Sequence, residues 1–295
     1  MMRFWLNLGR SSMSADQERM SDTISRARSF LFVPGDRPER FAKALATAAD
    51  IVVVDFEDSV AAQKKDVARE GFKTFAVTAE IGRVVVRINA AGTNDFELDV
   101  DACRSAGVSA VVLSKTEGND DLQRFASLAG KMRVIALVES ALGLDKCGEI
   151  TGHDLVDRIA FGSIDYRLDL GIPEDGPGLS AARSEIVLRS RLASISAPIE
   201  GVTAAYNDDA LLISEIRLAR SFGFGAKLAI HPAQIEAINA GFSPTQAEVV
   251  WAKRIAAAVA AAGGEVGAVS LNGEMIDRPI LLRAEQILER TAVQR

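Results

Sequence analysis

From Arg28 onward the chain alternates short β-rich apolar runs with amphipathic stretches, and it does so eight times. The runs fall at 28–33, 51–55, 83–88, 109–113, 133–138, 158–163, 198–203 and 227–230. Helix-like segments lie between them, for example Arg37 to Ala49, Asp95 to Ala106 and Asp208 to Phe222, with Gly107, Gly223 and Gly225 where helices end. Runs bounded by turn residues read as buried parallel strands. Eight strand–helix alternations predict an α/β fold, a (β/α)8 TIM barrel, in preference to an open sheet with fewer strands. No GxGxxG opens a helix and no GxxxxGK[ST] occurs, which argues against nucleotide folds built on those loops.

The chain has 295 residues, 48% of them hydrophobic and 25% charged, enough for a sizeable core. Its net charge of −6 gives no general attraction for nucleic acid or an anionic membrane, although it permits a local basic pocket. Two cysteines, Cys103 and Cys147, make neither a disulfide framework nor a metal cluster; they read as buried bystander thiols and suit a reducing cytoplasm. Residues 1–25 read as a poorly ordered extension. The alternatives are a start placed too early, with Met13 or Met20 as the true one, and a transit peptide, for which Asp16, Glu18 and Asp22 carry the wrong sign. No segment is expected to cross a membrane. The barrel is expected over 26–240. Residues 241–295 leave its rhythm: an Ala-rich helix from Ser243 to Ala262, a loop with Gly263, Gly264 and Gly267, and a last helix from Arg278. This tail is expected outside the barrel or on a neighbouring subunit.

Charged residues recur where strands end. Asp55, Glu57 and Asp58 follow the second strand, Arg87 ends the third, Lys115 follows the fourth, Glu139 the fifth, Asp165 the sixth and His231 the eighth. The carboxyl rim is where barrels hold their ligands, and titratable groups converging there mark an active site. Glu139 and Asp165 are the expected metal ligands. Mg²⁺ is favoured over Zn²⁺, because two carboxylates with substrate and water oxygens suit a hard cation and there is no His–Cys constellation. Arg87 suits a substrate carboxylate or an enolate oxygen through its planar fork. Glu57 and Asp58 either bind metal-bound water, orient Arg87 or cap the following helix. His231, beside Pro232, either shapes its turn or belongs to the site.

Seven motifs stand in an order that resembles a known family: RSFLFVPG at 28–35, DFEDSV at 55–60, VRIN at 86–89, ESALG at 139–143, FGSID at 161–165, KLAIHPAQ at 227–234 and GEMIDRP at 273–279. Together they resemble the acyl-CoA ester lyases (citrate lyase beta subunits, malyl-CoA and citramalyl-CoA lyases) of the aldolase and citrate lyase superfamily, over about residues 26–295. The resemblance implies a (β/α)8 barrel in a homotrimer or homohexamer, with Mg²⁺ (or Mn²⁺) on Glu139 and Asp165 and coenzyme A as part of the substrate. It implies that Arg87 holds the oxo-acid portion. It also implies that Asp277 is a catalytic acid/base reaching a neighbouring subunit's site, that Phe32, Arg40 and Lys43 contact CoA, and that Ile230 and His231 touch substrate. Ala226 stands where a Gly is common in the family.

The expected reaction is reversible cleavage of a 3-hydroxyacyl-CoA of the malyl, citramalyl or citryl type to acetyl- or propionyl-CoA and a 2-oxo acid. Two other enzymes compete: a citrate lyase beta subunit working on an acyl-carrier thioester inside a complex, and a metal-dependent aldolase acting on free hydroxy acids.

Overall fold

The computed structural model describes residues 15–262, 269–271 and 274–293. Eight strands close into a parallel barrel: β1 (Ser29–Pro34), β2 (Ile51–Asp55), β3 (Val84–Ile88), β4 (Ala110–Leu113), β5 (Arg133–Val138), β6 (Val156–Phe161), β7 (Ile199–Glu200) and β8 (Ala226–Ala229). Each pairs with its successor in sequence, and β8 returns to β1. A helix α1 (Ala15–Arg26) precedes the barrel. The connections carry α2 (Phe41–Leu45), α3 (Lys65–Thr78), α4 (Phe96–Ser105), α5 (Asn119–Ala129), α6 (Ala141–Asp145) and α7 (Cys147–Thr151). They continue with α8 (Ser163–Leu170), α9 (Pro177–Leu192) and α10 (Asp209–Phe222), and α11 (Ile235–Phe242) follows β8. No described helix is long and apolar enough to cross a membrane.

Side chains alternate across each strand, so one parity fills the barrel and the other meets the helices. Phe30, Ile51, Val53, Val85, Ala110, Val112, Ile135, Leu137, Ala160, Ile199, Ala226 and Leu228 form the interior. Extending the same parity by one step toward the strand ends reaches Phe32, Asp55, Arg87, Glu139, Gly162, Gly201 and Ile230. Chemistry therefore occupies the top layer of a barrel whose lower layers are hydrocarbon.

The strand ends differ from expectation mainly at β7, which is two residues rather than six. Pro198 before it lacks an N–H to donate, and Gly201 after it weakens pairing. The first 25 residues require a larger correction. Residues 15–26 form a helix, and Met20, Ile24 and Ala27 belong to the barrel's own core. The buried Arg158 fastens this helix by donating from Nη1 to the Ile24 and Ala27 carbonyls (2.9 and 2.7 Å). Spacings of four and three residues put the three apolar side chains on one helical face, a signal hidden by the polar residues between them. Residues 1–14 of the expected extension lie outside the described residues.

Contacts divide the chain between Asn239 and Ala240. The second unit contains α12 (Gln246–Ala261), an antiparallel pair β9 (Val269–Leu271) and β10 (Glu274–Ile276), and α13 (Arg278–Val293). Thr245 and Glu248 close a reciprocal capping box at the start of α12. Ala252, Ile255 and Val259 of α12 meet Ile276 and Ala284 in a separate small core. The sequence reading had no strands here, and its glycine loop at 263, 264 and 267 lies outside the described residues.

Candidate active site

A cavity of ≈ 340 Å³ opens at the carboxyl ends of the strands and is lined by Phe32, Asp55, Asp58, Ser59, Arg87, Leu137, Glu139, Gly162, Ser163, Ile164, Asp165, Gly201, Val202, Leu228 and Ile230. Glycines at two top-layer positions leave the room that larger residues would fill.

The register of β2 and β3 pairs Asp55 with Arg87. The consequence is a buried fork-to-fork pair: Arg87 donates from Nε to Asp55 Oδ1 and from Nη2 to Oδ2, both at 2.6 Å. The same carboxylate accepts the backbone N–H groups of Glu57 and Ser59 (2.9 and 3.1 Å) and so shapes the loop after β2. Burial alone would raise the Asp55 pKa, but the Arg87 guanidinium brings it below the ordinary carboxylate value. Arg87's Nη1 lies 3.1 Å from Glu57 Oε2 and 3.7 Å from Asp58 Oδ2. Phe32 places its ring 4.7 Å from the guanidinium carbon. The fork that the sequence reading offered to a substrate carboxylate is therefore spent on Asp55, and the Nη edge is what remains.

Glu139 is 4% exposed at the end of β5. Burial pushes its carboxyl up to about 8, and the nearby negative charges of Glu57 and Asp165 add to the rise. Its Oε1 accepts the backbone N–H of Lys115 at 2.8 Å. Lys115 makes that contact from a left-handed backbone, φ 46°, which a non-glycine residue adopts at a cost. Its ammonium donates to Glu57 Oε1 at 2.7 Å, so one residue ties down two carboxylates. Burial raises the Glu57 pKa, and Glu57 Oε2 is buried without a hydrogen-bond partner. Asp165 stands in the first turn of α8 and lines the same cavity as Glu139.

Glu139, with the charges of Glu57 and Asp165 near enough to raise its pKa, belongs to a carboxylate donor set that suits a hard divalent cation. No group of three or more His, Cys, Asp or Glu side chains that could hold a metal occurs among the described residues.

Other expected site residues are placed differently. Arg40 and Lys43 are exposed on the helical segment after β1 and do not line the cavity. Ile230 lines it, 42% exposed. His231 does not: its Nδ1 accepts the Ala233 N–H (3.2 Å), its ring stacks on Tyr206 (centroids 4.7 Å apart), and it caps the turn at Pro232. Asp277 belongs to the second unit, exposed, where its Oδ1 accepts the Ile280 N–H at 3.0 Å and caps α13. Glu57 does not cap the next helical turn, whose N-cap is Ala61. Cys103 and Cys147 are both free and buried. The sequence reading missed the linking parts of Asp55 and Lys115. Both had been noted as rim charges, but nothing in the sequence fixes a strand register or a left-handed backbone.

Comparison with known proteins gives the family and the fold. Residues 28–232 match the family described as HpcH/HpaI aldolase/citrate lyase. A citrate lyase subunit beta-like protein of Mycobacterium tuberculosis is 35% identical over 273 residues, covering 88% of this chain and 94% of that protein. A (3S)-malyl-CoA thioesterase of Cereibacter sphaeroides is 32% identical over 88% of this chain and 93% of its own length. Among solved structures, CitE from M. tuberculosis in complex with magnesium, acetoacetate and coenzyme A superposes with a TM-score of 0.79 at 34% identity, covering 90% of this chain and 98% of that one. A citrate lyase beta subunit from the same organism, complexed with oxaloacetate and magnesium, has a TM-score of 0.68 at 33% identity, covering 76% of this chain and 100% of that one.

Proposed function

The chain belongs to the HpcH/HpaI aldolase/citrate lyase family, and within it we propose a carbon–carbon lyase that reversibly cleaves a 3-hydroxyacyl-CoA of the malyl, citramalyl or citryl type. The products are acetyl- or propionyl-CoA and a 2-oxo acid. The observation that carries this reading is the convergence of Glu139, Asp165 and Arg87 on one cavity at the barrel's carboxyl rim. Relatives crystallised with magnesium, coenzyme A and small oxo acids support it.

Glu139 and Asp165 are the residues that would hold Mg²⁺ or Mn²⁺, beside a Glu57 carboxylate already paired with Arg87 Nη1 (3.1 Å) and Lys115 (2.7 Å). Such an ion supplies Lewis acidity at the oxygen that becomes the carbonyl of the oxo acid. The protein's own groups do the rest. As the 3-hydroxyl gives its proton to the Asp277 carboxylate, the carbon–carbon bond breaks, the hydroxyl carbon becomes the carbonyl of the oxo acid, and the electron pair passes to the acyl α-carbon as a thioester enolate. The outward Nη edge of Arg87, held by Asp55 behind and Phe32 on its face, offers a fixed donor to the negative oxygen. Leu137, Val202, Leu228 and Ile230 keep water from the cavity floor. Asp277 is assigned the proton that converts the enolate carbon to a methyl or methylene group. It is assigned from a neighbouring copy in a homotrimer or homohexamer, and Arg40 and Lys43 are assigned the anionic parts of CoA.

Malyl-, methylmalyl-, citramalyl- and citryl-CoA assayed with and without chelator test the proposal. Cleavage of at least one, abolished by chelator and restored by Mg²⁺ or Mn²⁺, is expected. Turnover of free hydroxy acids alone would assign the chain to the CoA-independent aldolases, and turnover only of an acylated carrier would assign it to a citrate lyase complex. Free CoA released with an intact hydroxy acid would identify thioester hydrolysis, the activity named for the C. sphaeroides relative.

A further inference from the structure

Lys115 reaches two carboxylates with two different parts of itself. Its backbone N–H donates to Glu139 Oε1 at 2.8 Å, and its ammonium donates to Glu57 Oε1 at 2.7 Å. The N–H is presented from a left-handed turn, φ 46°. That turn is pinned from below. Ser114 and Thr116 are fully buried, the Thr116 N–H donates to the Leu137 carbonyl (3.1 Å), and its hydroxyl donates to the Leu113 carbonyl (2.8 Å). Gly143 completes the support, since a Cβ there would stand 2.8 Å from the Thr116 carbonyl oxygen. A costly backbone conformation persists only where its surroundings over-determine it, and such positions cluster at functional sites. The Lys115 side chain is half exposed, whereas the Glu57 carboxylate it holds is buried. Burial works against its charge, yet Glu57, Asp58 and Glu139 raise its pKa above the ordinary lysine value. Glu57 in turn lies 3.1 Å from Arg87 Nη1, so the ammonium braces Arg87 at one remove.

We propose that Lys115 is a positioning residue with two separable parts: its left-handed backbone sets the Glu139 carboxylate for a divalent cation, and its ammonium braces Arg87 through Glu57. The inference rests on the metal assignment of the lyase reading above and deepens it. The two parts act on a bound cation with opposite sign. The backbone N–H holds Glu139 Oε1 in one orientation, and a carboxylate already oriented loses less freedom when it ligates. The ammonium is a positive charge beside the ligands, and it repels a second cation. Its use lies with Arg87. Without it, Glu57 would be left to draw Nη1 toward itself and away from the negative oxygen of the enolate. Substitutions at position 115 pull the two parts apart, because glycine adopts a left-handed φ freely, alanine less so and a β-branched residue least. Glycine therefore drops the charge and keeps the turn, whereas valine drops the charge and resists the turn.

The test titrates the full chain with Mn²⁺, followed by electron paramagnetic resonance, a readout that needs no turnover. Lys115→Gly should bind Mn²⁺ as tightly as the wild type or up to ~10-fold tighter. Binding more than ~3-fold weaker would show that the ammonium holds the ligands together, and it would overturn the division into two parts. Affinity should fall in the order Gly, Ala, Val, with Lys115→Val at least ~10-fold weaker than Lys115→Gly. Equal affinities across the series would remove the backbone from any part in metal binding; the Gly and Ala variants decide this should the valine variant fail to fold. For whichever thioester is cleaved, Lys115→Gly should lower kcat ~10-fold with KM little changed, the mark of an interaction made only in the transition state. Lys115→Arg, which keeps a cation opposite Glu57, should recover that loss. Full turnover in Lys115→Gly would take the ammonium out of the support of Arg87. If no thioester is cleaved, the lyase reading fails while the Mn²⁺ order stands or falls by itself, so the two failures are read separately.

Discussion

Gly162 lies against Glu139 so closely that a methyl group at position 162 would stand 2.5 Å from Glu139 Cβ and 2.6 Å from its Oε2. The carboxylate has its place because residue 162 has no side chain. Gly162→Ala should fold, with an overpacking cost of about 1–3 kcal/mol, while turning Glu139 away from the cavity. Mn²⁺ affinity is expected to fall ~10–100-fold, the scale seen when a ligand's support is disturbed. Titration of the purified variant with Mn²⁺, followed by electron paramagnetic resonance, checks this; wild-type affinity would remove Glu139 from the ligand set.

Asp55→Asn keeps the shape of the residue that holds Arg87 but removes its charge. Breaking a buried pair costs about 3–5 kcal/mol, and the lower end applies here because Glu57 remains beside Arg87. Turnover should fall by ~10² as the guanidinium swings from its aim, with Mn²⁺ affinity changed little. Parallel loss of metal binding and activity would show that Asp55 supports the whole site and not Arg87 in particular.

The Glu139 carboxyl, pushed up to about 8, predicts a direction for pH. Between the unfolded value near 4.5 and about 8, the folded metal-free protein keeps a proton that the unfolded chain releases. Its stability from this group therefore declines as pH rises through that window, by at most about 1.4 kcal/mol per pH unit. A cation must displace the same proton. Mn²⁺ affinity should rise ~10-fold per pH unit from 6 toward 8 and level off above, with proton release measurable by calorimetry in buffers of different ionisation enthalpy. A flat profile over that range would contradict the assignment.

Asp277→Asn preserves the cap on α13, because asparagine caps as well as aspartate. Thermal stability should be unchanged while turnover falls ~10²–10⁴ and thioester binding persists. Unaltered turnover would take Asp277 out of the reaction.

Ile24→Ala probes the helix at the base of the barrel. The side chain is fully buried, so truncation should cost about 2–5 kcal/mol, read as a lower denaturant midpoint. A shift below about 0.5 kcal/mol would mean that α1 contributes nothing to the core.

What the sequence revealed follows from periodicity, and what it hid follows from pairing. The eight strands are visible because each is a short apolar run between turn residues. Glu139 and Arg87 stand out because each is a charge on the interior parity of an apolar strand. The Asp55–Arg87 fork needs the β2–β3 register, and Phe32 beneath Arg87 needs the curvature of β1 against β3; neither is written in any local spacing. Lys115 was noticed for its charge, whereas its backbone N–H and left-handed φ belong to a turn geometry that no residue type announces. The docking of α1 was recoverable: Met20, Ile24 and Ala27 fall on one helical face. They were lost among Arg19, Asp22 and Arg26, which point the other way.

Because α1 stoppers one end of the barrel, whatever enters must leave through the same doorway. In the proposed lyase reaction the oxo acid, held by the strand-end charges, would be the inner passenger and the thioester the outer one. The acyl-CoA would then depart first and the acid follow, so the inhibition each product exerts on the other should carry the signature of a queue.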